Sequence, residues 1–136
     1  MVSEHYSVTS FLEAEGEILI LLRSEHVGTY PGRWAGISGL IENNKTADEQ
    51  AMIEIQEETG LLIEDITLIR KGAPLVFDDA NLNLKKIIYP YLFHIENRNK
   101  IAIDWEHKQF KWIKPEDIDN YDTVPKLRET LEQVLK

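Results

Sequence analysis

The chain has 136 residues and no cysteine, which excludes disulfides, thiolate metal sites and cysteine nucleophiles and makes a cytoplasmic setting the default expectation. Hydrophobic residues make up 43% and charged residues 29%, enough for a packed core of ordinary domain size, so one domain spanning residues 1–136 is expected. With 24 Asp and Glu against 15 Lys and Arg, the net charge of -9 disfavours nucleic acid and anionic membranes as partners but leaves room for a small phosphorylated ligand met by carboxylate-held metal ions.

The chain opens Met-Val-Ser-Glu-His-Tyr, without a basic stretch leading into an apolar one. No apolar run approaches the roughly 20 residues of a membrane span, so neither export nor insertion is expected. Tyr6 to Leu12 and Ile18 to Arg23 read as a hairpin around Glu15-Gly16-Glu17, and the second strand, apolar on both faces, is expected to be central. Ser24 to Arg33, with Gly28, Pro31 and Gly32, is a loop, and Trp34 to Ile41 a short strand that breaks into a tight turn at Gly39. Thr46 followed by Glu49 fits a capping box, Gly60 supplies a left-handed stop, and Ala47, Ala51 and Ile55 give the helix between them an apolar stripe. Ile66 to Ile69, Ala73 to Phe77, Lys86 to Ile95 and Gln109 to Ile113 are further strands, with Asp78 to Leu84 a polar excursion. Val124, Leu127, Leu131, Val134 and Leu135 recur at helical spacing after Pro125, which predicts a closing amphipathic helix over Val124 to Lys136. The expected class is α/β, with a mixed sheet.

The chemistry concentrates in the first helix. Glu54, Glu57 and Glu58 stand at i, i+3 and i+4, which confines them to an arc of roughly 100° on one side. Crowded carboxylates repel one another unless cations neutralise them, and hard divalent ions such as Mg²⁺ or Mn²⁺ prefer oxygen ligands of this kind. A lone triplet of this type is more often a solvated acidic face. Its surroundings change the odds: Gly39 lies fifteen residues upstream, a capped helix start follows, and Thr59-Gly60-Leu61 closes the segment.

On these residues the chain resembles the Nudix hydrolase family. That family's pattern is G-x5-E-x7-R-E-U-x-E-E-x-G-U, with U aliphatic, and the nine positions here hold Gly39, Lys45, Ile53, Glu54, Ile55, Glu57, Glu58, Gly60 and Leu61, of which seven match. The resemblance implies an α/β/α sandwich on a mixed sheet, with Gly39, Glu54, Glu57 and Glu58 as metal ligands. Two departures matter. The family arginine that pairs with and orients box glutamates is replaced by Ile53, and Lys45 stands where the family has an acid. The metal site is therefore expected to persist, with catalytic power less secure.

Other residues are candidates on weaker grounds. Glu106, in Asp104-Trp105-Glu106-His107 just ahead of the Trp112 strand, matches the region where some relatives place an extra metal-binding or basic glutamate, with Asp104 as its neighbouring substitute. It is as easily an ordinary loop acid. His107 is a general base by its accessible titration range or the partner of Glu106 in a surface ion pair, and His94 is read as structural. Arg23 and Arg33 flank the loop before the glycine-rich segment and are expected to reach phosphate, since guanidinium matches phosphate oxygens bidentately. Tyr30, Trp34, Phe77 and Tyr91 either stack on a base or pack in the core.

The resemblance implies a metal-dependent hydrolase, acting on the pyrophosphate linkage of a nucleoside diphosphate joined to another moiety, with Mg²⁺, or Mn²⁺ in its place. Glu57 or Glu106 would serve as general base. The alternative is a catalytically weak or inactive Nudix-like module that binds a nucleotide or metabolite. The expected partner is a small nucleotide-derived phosphate compound, with no nucleic acid and no membrane; exposed strand edges and the first hairpin would suit a homodimer.

Overall fold

A computed structural model describes residues 3–135. Strand β1 (Ser3–Ala14) turns at Glu15 and Gly16, both at positive φ, into β2 (Glu17–Arg23). After the loop come β3 (Trp34–Ala35) and β4 (Ile37–Leu40), then helix α1 (Ala47–Thr59). Strands β5 (Ile66–Lys71), β6 (Leu75–Asp79), β7 (Leu84–Ile95) and β8 (His107–Ile113) follow, and α2 (Leu127–Glu132) closes the described chain. No described helix is long and apolar enough to cross a membrane.

All eight strands belong to one mixed sheet whose main path runs β3-β2-β1-β7-β5, with β4 on β1, β6 on β7 and β8 on β2. Its long axis is the parallel pair β1 and β7, matched from Ser3 opposite Leu84 to Glu13 opposite His94, while the other pairings between strands are antiparallel. Alternation along the strands sends side chains to two faces, and each face has its own core. Val8, Leu12, Leu19, Leu21 and Ile37 meet Ala51 and Ile55 of α1 on one side. Phe11, Ile18, Ile20 and Leu92 meet Leu127, Leu131 and Val134 on the other. The expected α/β/α layering follows from this division.

Helix α1 starts and stops where its sequence requires. The Thr46 hydroxyl accepts from the Glu49 amide at 3.1 Å, the Glu49 carboxylate accepts from the Thr46 amide at 2.9 Å, and Gly60 takes φ 74° at the C-cap. Ala51 and Ile55 are fully buried, so truncating Ile55 to alanine would cost about 2 to 5 kcal/mol.

Three expectations need correction. Gly39 does not sit in a turn: it lies inside β4, opposite Val8 of β1. The polar excursion Asp78 to Leu84 shrinks to residues 80–83, because Asp78 pairs with Lys85 and Asp79 with Leu84 to close a tight hairpin. The terminal helix is shorter than Val124 to Lys136, and Lys136 falls outside the described residues. Thr123 bridges to Trp34, and the Val124 amide donates to the Trp34 carbonyl at 2.9 Å, which holds this stretch extended until Lys126, at φ 65°, turns the chain into α2. A 3-10 turn over Pro115–Asn120 precedes it, with no counterpart in the sequence reading.

Candidate active site

The β1–β4 pairing and α1 face each other across Gly39. Gly39 shares the inward parity of Ile37, so its missing side chain points at α1, and the carboxylate of Glu54 occupies the space a Cβ would fill. Here glycine is required by close approach of a neighbour. Glu54 Oε2 accepts from Gln50 Nε2 at 2.6 Å, and Gln50 Oε1 accepts from the Glu42 amide at 3.1 Å. The fully buried Gln50 thus ties the loop before α1 to the Glu54 carboxylate.

One turn further along, Glu58 is only 2% exposed, and its Oε2 has no hydrogen-bond partner. Burial, with the neighbouring Glu54 carboxyl next and the charges of Glu106 and Asp104 after it, holds the Glu58 carboxyl well above the usual carboxylate range. Burial also raises Glu54, to which Glu57 and Glu106 add repulsion. Glu57 itself is exposed. Of the three helix acids, Glu54 and Glu58 are the ones turned toward the sheet, while Glu57, whose charge also acts on Glu54, is exposed to solvent. Among the described residues, no three His, Asp or Glu side chains stand together as a ready-made metal cage.

Behind Glu58 stands His107. Strands β2 and β8 slip register between Leu22 and Arg23, so that Leu22 faces Gln109 and Arg23 faces His107, with Lys108 the extra residue. This bulge puts His107 in place of Lys108 on the face that α1 covers. The imidazole is 2% exposed; its Nδ1 lies 2.9 Å from Asp104 Oδ1 and its Nε2 3.6 Å from Glu58 Oε1. Of the two alternatives open for His107, the surface ion pair with Glu106 is thereby overturned, since the ring is buried between Asp104 and Glu58.

Across the edge of β4 opens a cavity of about 340 Å³ on the opposite face of the sheet. Its floor carries the hydroxyls of Ser7, Thr9 and Ser38 beside the apolar Leu84 and Ile88. Thr9 and Ser38 hydroxyls are 3.0 Å apart. Tyr30 and Lys86 line one wall, both anchored on the buried Asp79: the Tyr30 hydroxyl donates to it at 2.6 Å, and Lys86 Nζ lies 3.1 Å away. Arg23, Gly39 and Glu106 also line the cavity, and these three join it to the glutamate pair. Gly39 touches Glu54, Glu106 adds its charge to both glutamates, and Arg23 feels Glu106 and Glu58. Desolvation is the larger influence on Arg23 and lowers its pKa.

Of the sequence candidates, then, Gly39, Glu54, Glu58, Glu106 and Arg23 come together, while Glu57 stands at the solvent side. Arg33 is not brought in: its guanidinium donates to the Thr123 carbonyl at 3.1 Å, pairs with Asp122 at 3.4 Å, and does not line the cavity. Among the aromatics only Tyr30 reaches the cavity. Trp34 packs edge-on against Tyr121, and the Tyr91 hydroxyl donates to Asp48 at 2.6 Å. His94 is held by Glu13 at 2.7 Å and Glu96 at 2.9 Å, in the structural role expected of it. Lys45 lies beside Glu49 of the capping box, and Ile53 is half-buried on α1. The sequence reading missed Gln50, whose signal was its position four residues before Glu54, and the burial of His107, which depends on the bulge.

Comparison with known proteins agrees with this architecture. The sequence model of the NUDIX domain family matches residues 4–134. The chain is 29% identical over 135 residues to the nucleoside triphosphatase NudI of Escherichia coli O139:H28, covering 91% of this chain and 92% of that protein. The crystal structure of a MutT protein from Methanosarcina mazei Go1 superposes with a TM-score of 0.81 at 24% identity, covering 96% of this chain and 92% of that one. A Caenorhabditis elegans Ap4A hydrolase shares the fold with a TM-score of 0.74 at 19% identity, over 97% and 94% of the two chains. With the loop-helix box in place and the family matched along almost the whole chain, this protein belongs to the NUDIX domain family.

Proposed function

We propose that the chain hydrolyses the pyrophosphate linkage of a nucleotide-class substrate, a nucleoside diphosphate joined to another moiety, with Mg²⁺ or, in its place, Mn²⁺. The observation that carries this reading is the junction of Gly39, Arg23 and Glu106, which border the cavity and the Glu54 and Glu58 carboxylates together. A divalent cation suits the site: Glu58 Oε2 is buried without a partner, the donors are hard oxygens, and Gly39 leaves Glu54 the room to approach the backbone. Glu54 and Glu58, with the Gly39 carbonyl and with Glu57 swung in from solvent, would hold the ion. When bound, it would neutralise diphosphate oxygens and lower the pKa of a coordinated water.

The chain's own residues would do the rest. Arg23, whose Nε and one terminal nitrogen donate to the Thr29 carbonyl at 3.0 Å and hydroxyl at 3.2 Å, would offer its remaining N–H groups to phosphate oxygens. Glu106, left free of coordination, would accept a proton from the attacking water as the new phosphorus–oxygen bond forms and the bond to the bridging oxygen breaks. The cavity floor, with three hydroxyls between apolar side chains, would seat the nucleoside part. The named activities of the relatives, nucleoside triphosphatase and Ap4A hydrolase, favour a nucleotide as substrate, and the cysteine-free composition favours the cytoplasm as setting.

A second reading, a binder with little turnover, is favoured by Ile53 and Lys45, which stand where the family pattern has an arginine and an acid. Phosphate release with Mg²⁺ across nucleoside triphosphates, dinucleoside polyphosphates and nucleotide sugars separates the two. Turnover of at least one class is expected, and tight binding without release from any of them would favour the binder.

A further inference from the structure

In the family pattern an arginine braces the box glutamates, and this chain has the uncharged Ile53 at that position. Glu58 nevertheless has a polar group directly behind it. His107 and Glu58 are each only 2% exposed, and the nitrogen and oxygen that face each other, Nε2 and Oε1, are 3.6 Å apart. His107 Nε2 and Glu58 Oε2 are both buried without a hydrogen-bond partner. Buried polar atoms left in this state are costly, and a pair that closes by about 0.4 Å enters hydrogen-bond range. The other side of the ring is fixed: Nδ1 is 2.9 Å from Asp104 Oδ1, and the His107 amide donates to the Asp104 carbonyl at 3.2 Å. A β-bulge places this residue on the α1 face instead of Lys108. Bulges that re-aim one side chain beside a site are a recurrent device.

We infer that His107, held in line by Asp104, is the positioning residue for Glu58, taking over the bracing that Ile53 cannot supply. It sets the Glu58 carboxylate beside Glu54 from behind, as groups outside a metal's own ligands commonly orient those ligands. The inference rests on the reading of Glu54 and Glu58 as metal ligands.

The test titrates the intact protein with Mn²⁺, counting free ion by electron paramagnetic resonance, and adds thermal melting without metal and steady-state rates at saturating metal. His107→Phe keeps an aromatic ring without nitrogens, His107→Gln restores a polar end, and Asp104→Asn keeps the size of the group that aligns Nδ1 while removing its charge. The expected result is Mn²⁺ affinity weakened by about 10 to 100-fold in His107→Phe, the range typical of such supporting groups, with partial rescue in His107→Gln. Asp104→Asn should weaken it several-fold, and this variant decides the matter if His107→Phe does not fold. Folded His107→Phe, or in its place Asp104→Asn, that binds Mn²⁺ within twofold of wild type overturns the inference alone. Wild-type protein that takes up no Mn²⁺ overturns the metal reading, and this inference with it.

Discussion

Replacing Gly39 with alanine tests how much the site depends on one missing methyl group. The added Cβ would stand 2.6 Å from Glu54 Oε2, and closer still to the rest of the carboxylate, where ordinary contact begins at 3.4 Å. Backbone conformation poses no obstacle, since Gly39 has no positive φ. The carboxylate ends a flexible side chain, so it yields first and must retreat by about 1 Å. That retreat breaks the hydrogen bond from Gln50. Hydrogen bonds to charged groups contribute about 1.5 to 3 kcal/mol, and half-exposed Glu54 recovers part of this from water, so a loss of about 1 kcal/mol is expected. Thermal melting should register it as a decrease of about 3 to 5 °C. Activity should suffer far more, because a misplacement of about 1 Å in a catalytic array costs on the order of 10²-fold. Melting curves and initial rates on the substrate found in the panel, measured on the same preparations, give both numbers. A kcat within threefold of wild type, with unchanged melting, would refute the claim that Glu54 works from beside Gly39.

Glu58→Gln should lower turnover by orders of magnitude while raising the melting temperature of the metal-free protein, because it removes a carboxyl whose ionised form burial disfavours. Glu57→Gln should also cut turnover if that exposed side chain swings in to bind metal, and full activity in this variant would remove Glu57 from the ligand set. Glu106→Gln should reduce kcat by about 10² at saturating Mg²⁺ with little change in KM, and a loss that excess metal restores would mark a ligand and not a base. His94 should make stability pH-dependent: hydrogen bonds to Glu13 and then Glu96 raise its pKa above the ordinary 6.5. Its contribution is fully present below about pH 6.5 and lost as pH rises through the folded-state value. Denaturant unfolding of wild type and His94→Gln should therefore differ more at pH 5.5 than at pH 8.5, and a constant difference would contradict the assignment.

What could be foreseen from the sequence was what local chemistry determines. Thr46, Glu49 and Gly60 mark the ends of α1 because caps are satisfied within a turn of the chain. The spacing from Gly39 to Leu61 carried the family signature for the same reason. Non-local contacts were harder. Gly39 looked like a turn residue, yet its cause is a carboxylate fifteen residues away. The burial of His107 follows from a register slip opposite Arg23 that no pattern in β8 announces. Arg33 had the right charge and neighbourhood, but Asp122 and Thr123, almost ninety residues later, claim its guanidinium. The last helix kept its apolar stripe while losing its first turn to the extended bridge with Trp34.

The parallel pairing of β1 with β7 also bears on how the protein reaches this state. Every partner of β1 in that ladder lies 81 residues further along the chain, from Ser3 with Leu84 to Glu13 with His94. Loop-closure entropy is spent before such contacts return any stabilisation, so topologies of this kind fold slowly for their size. On a ribosome, the strand carrying Ser7 and Thr9 is made first and its long partner much later. Hairpin β1–β2 and helix α1 can organise early, but β1 keeps an open edge until β7 emerges. During that interval an apolar strand edge is available to the wrong partner, which makes the nascent chain more prone to aggregate than the finished protein.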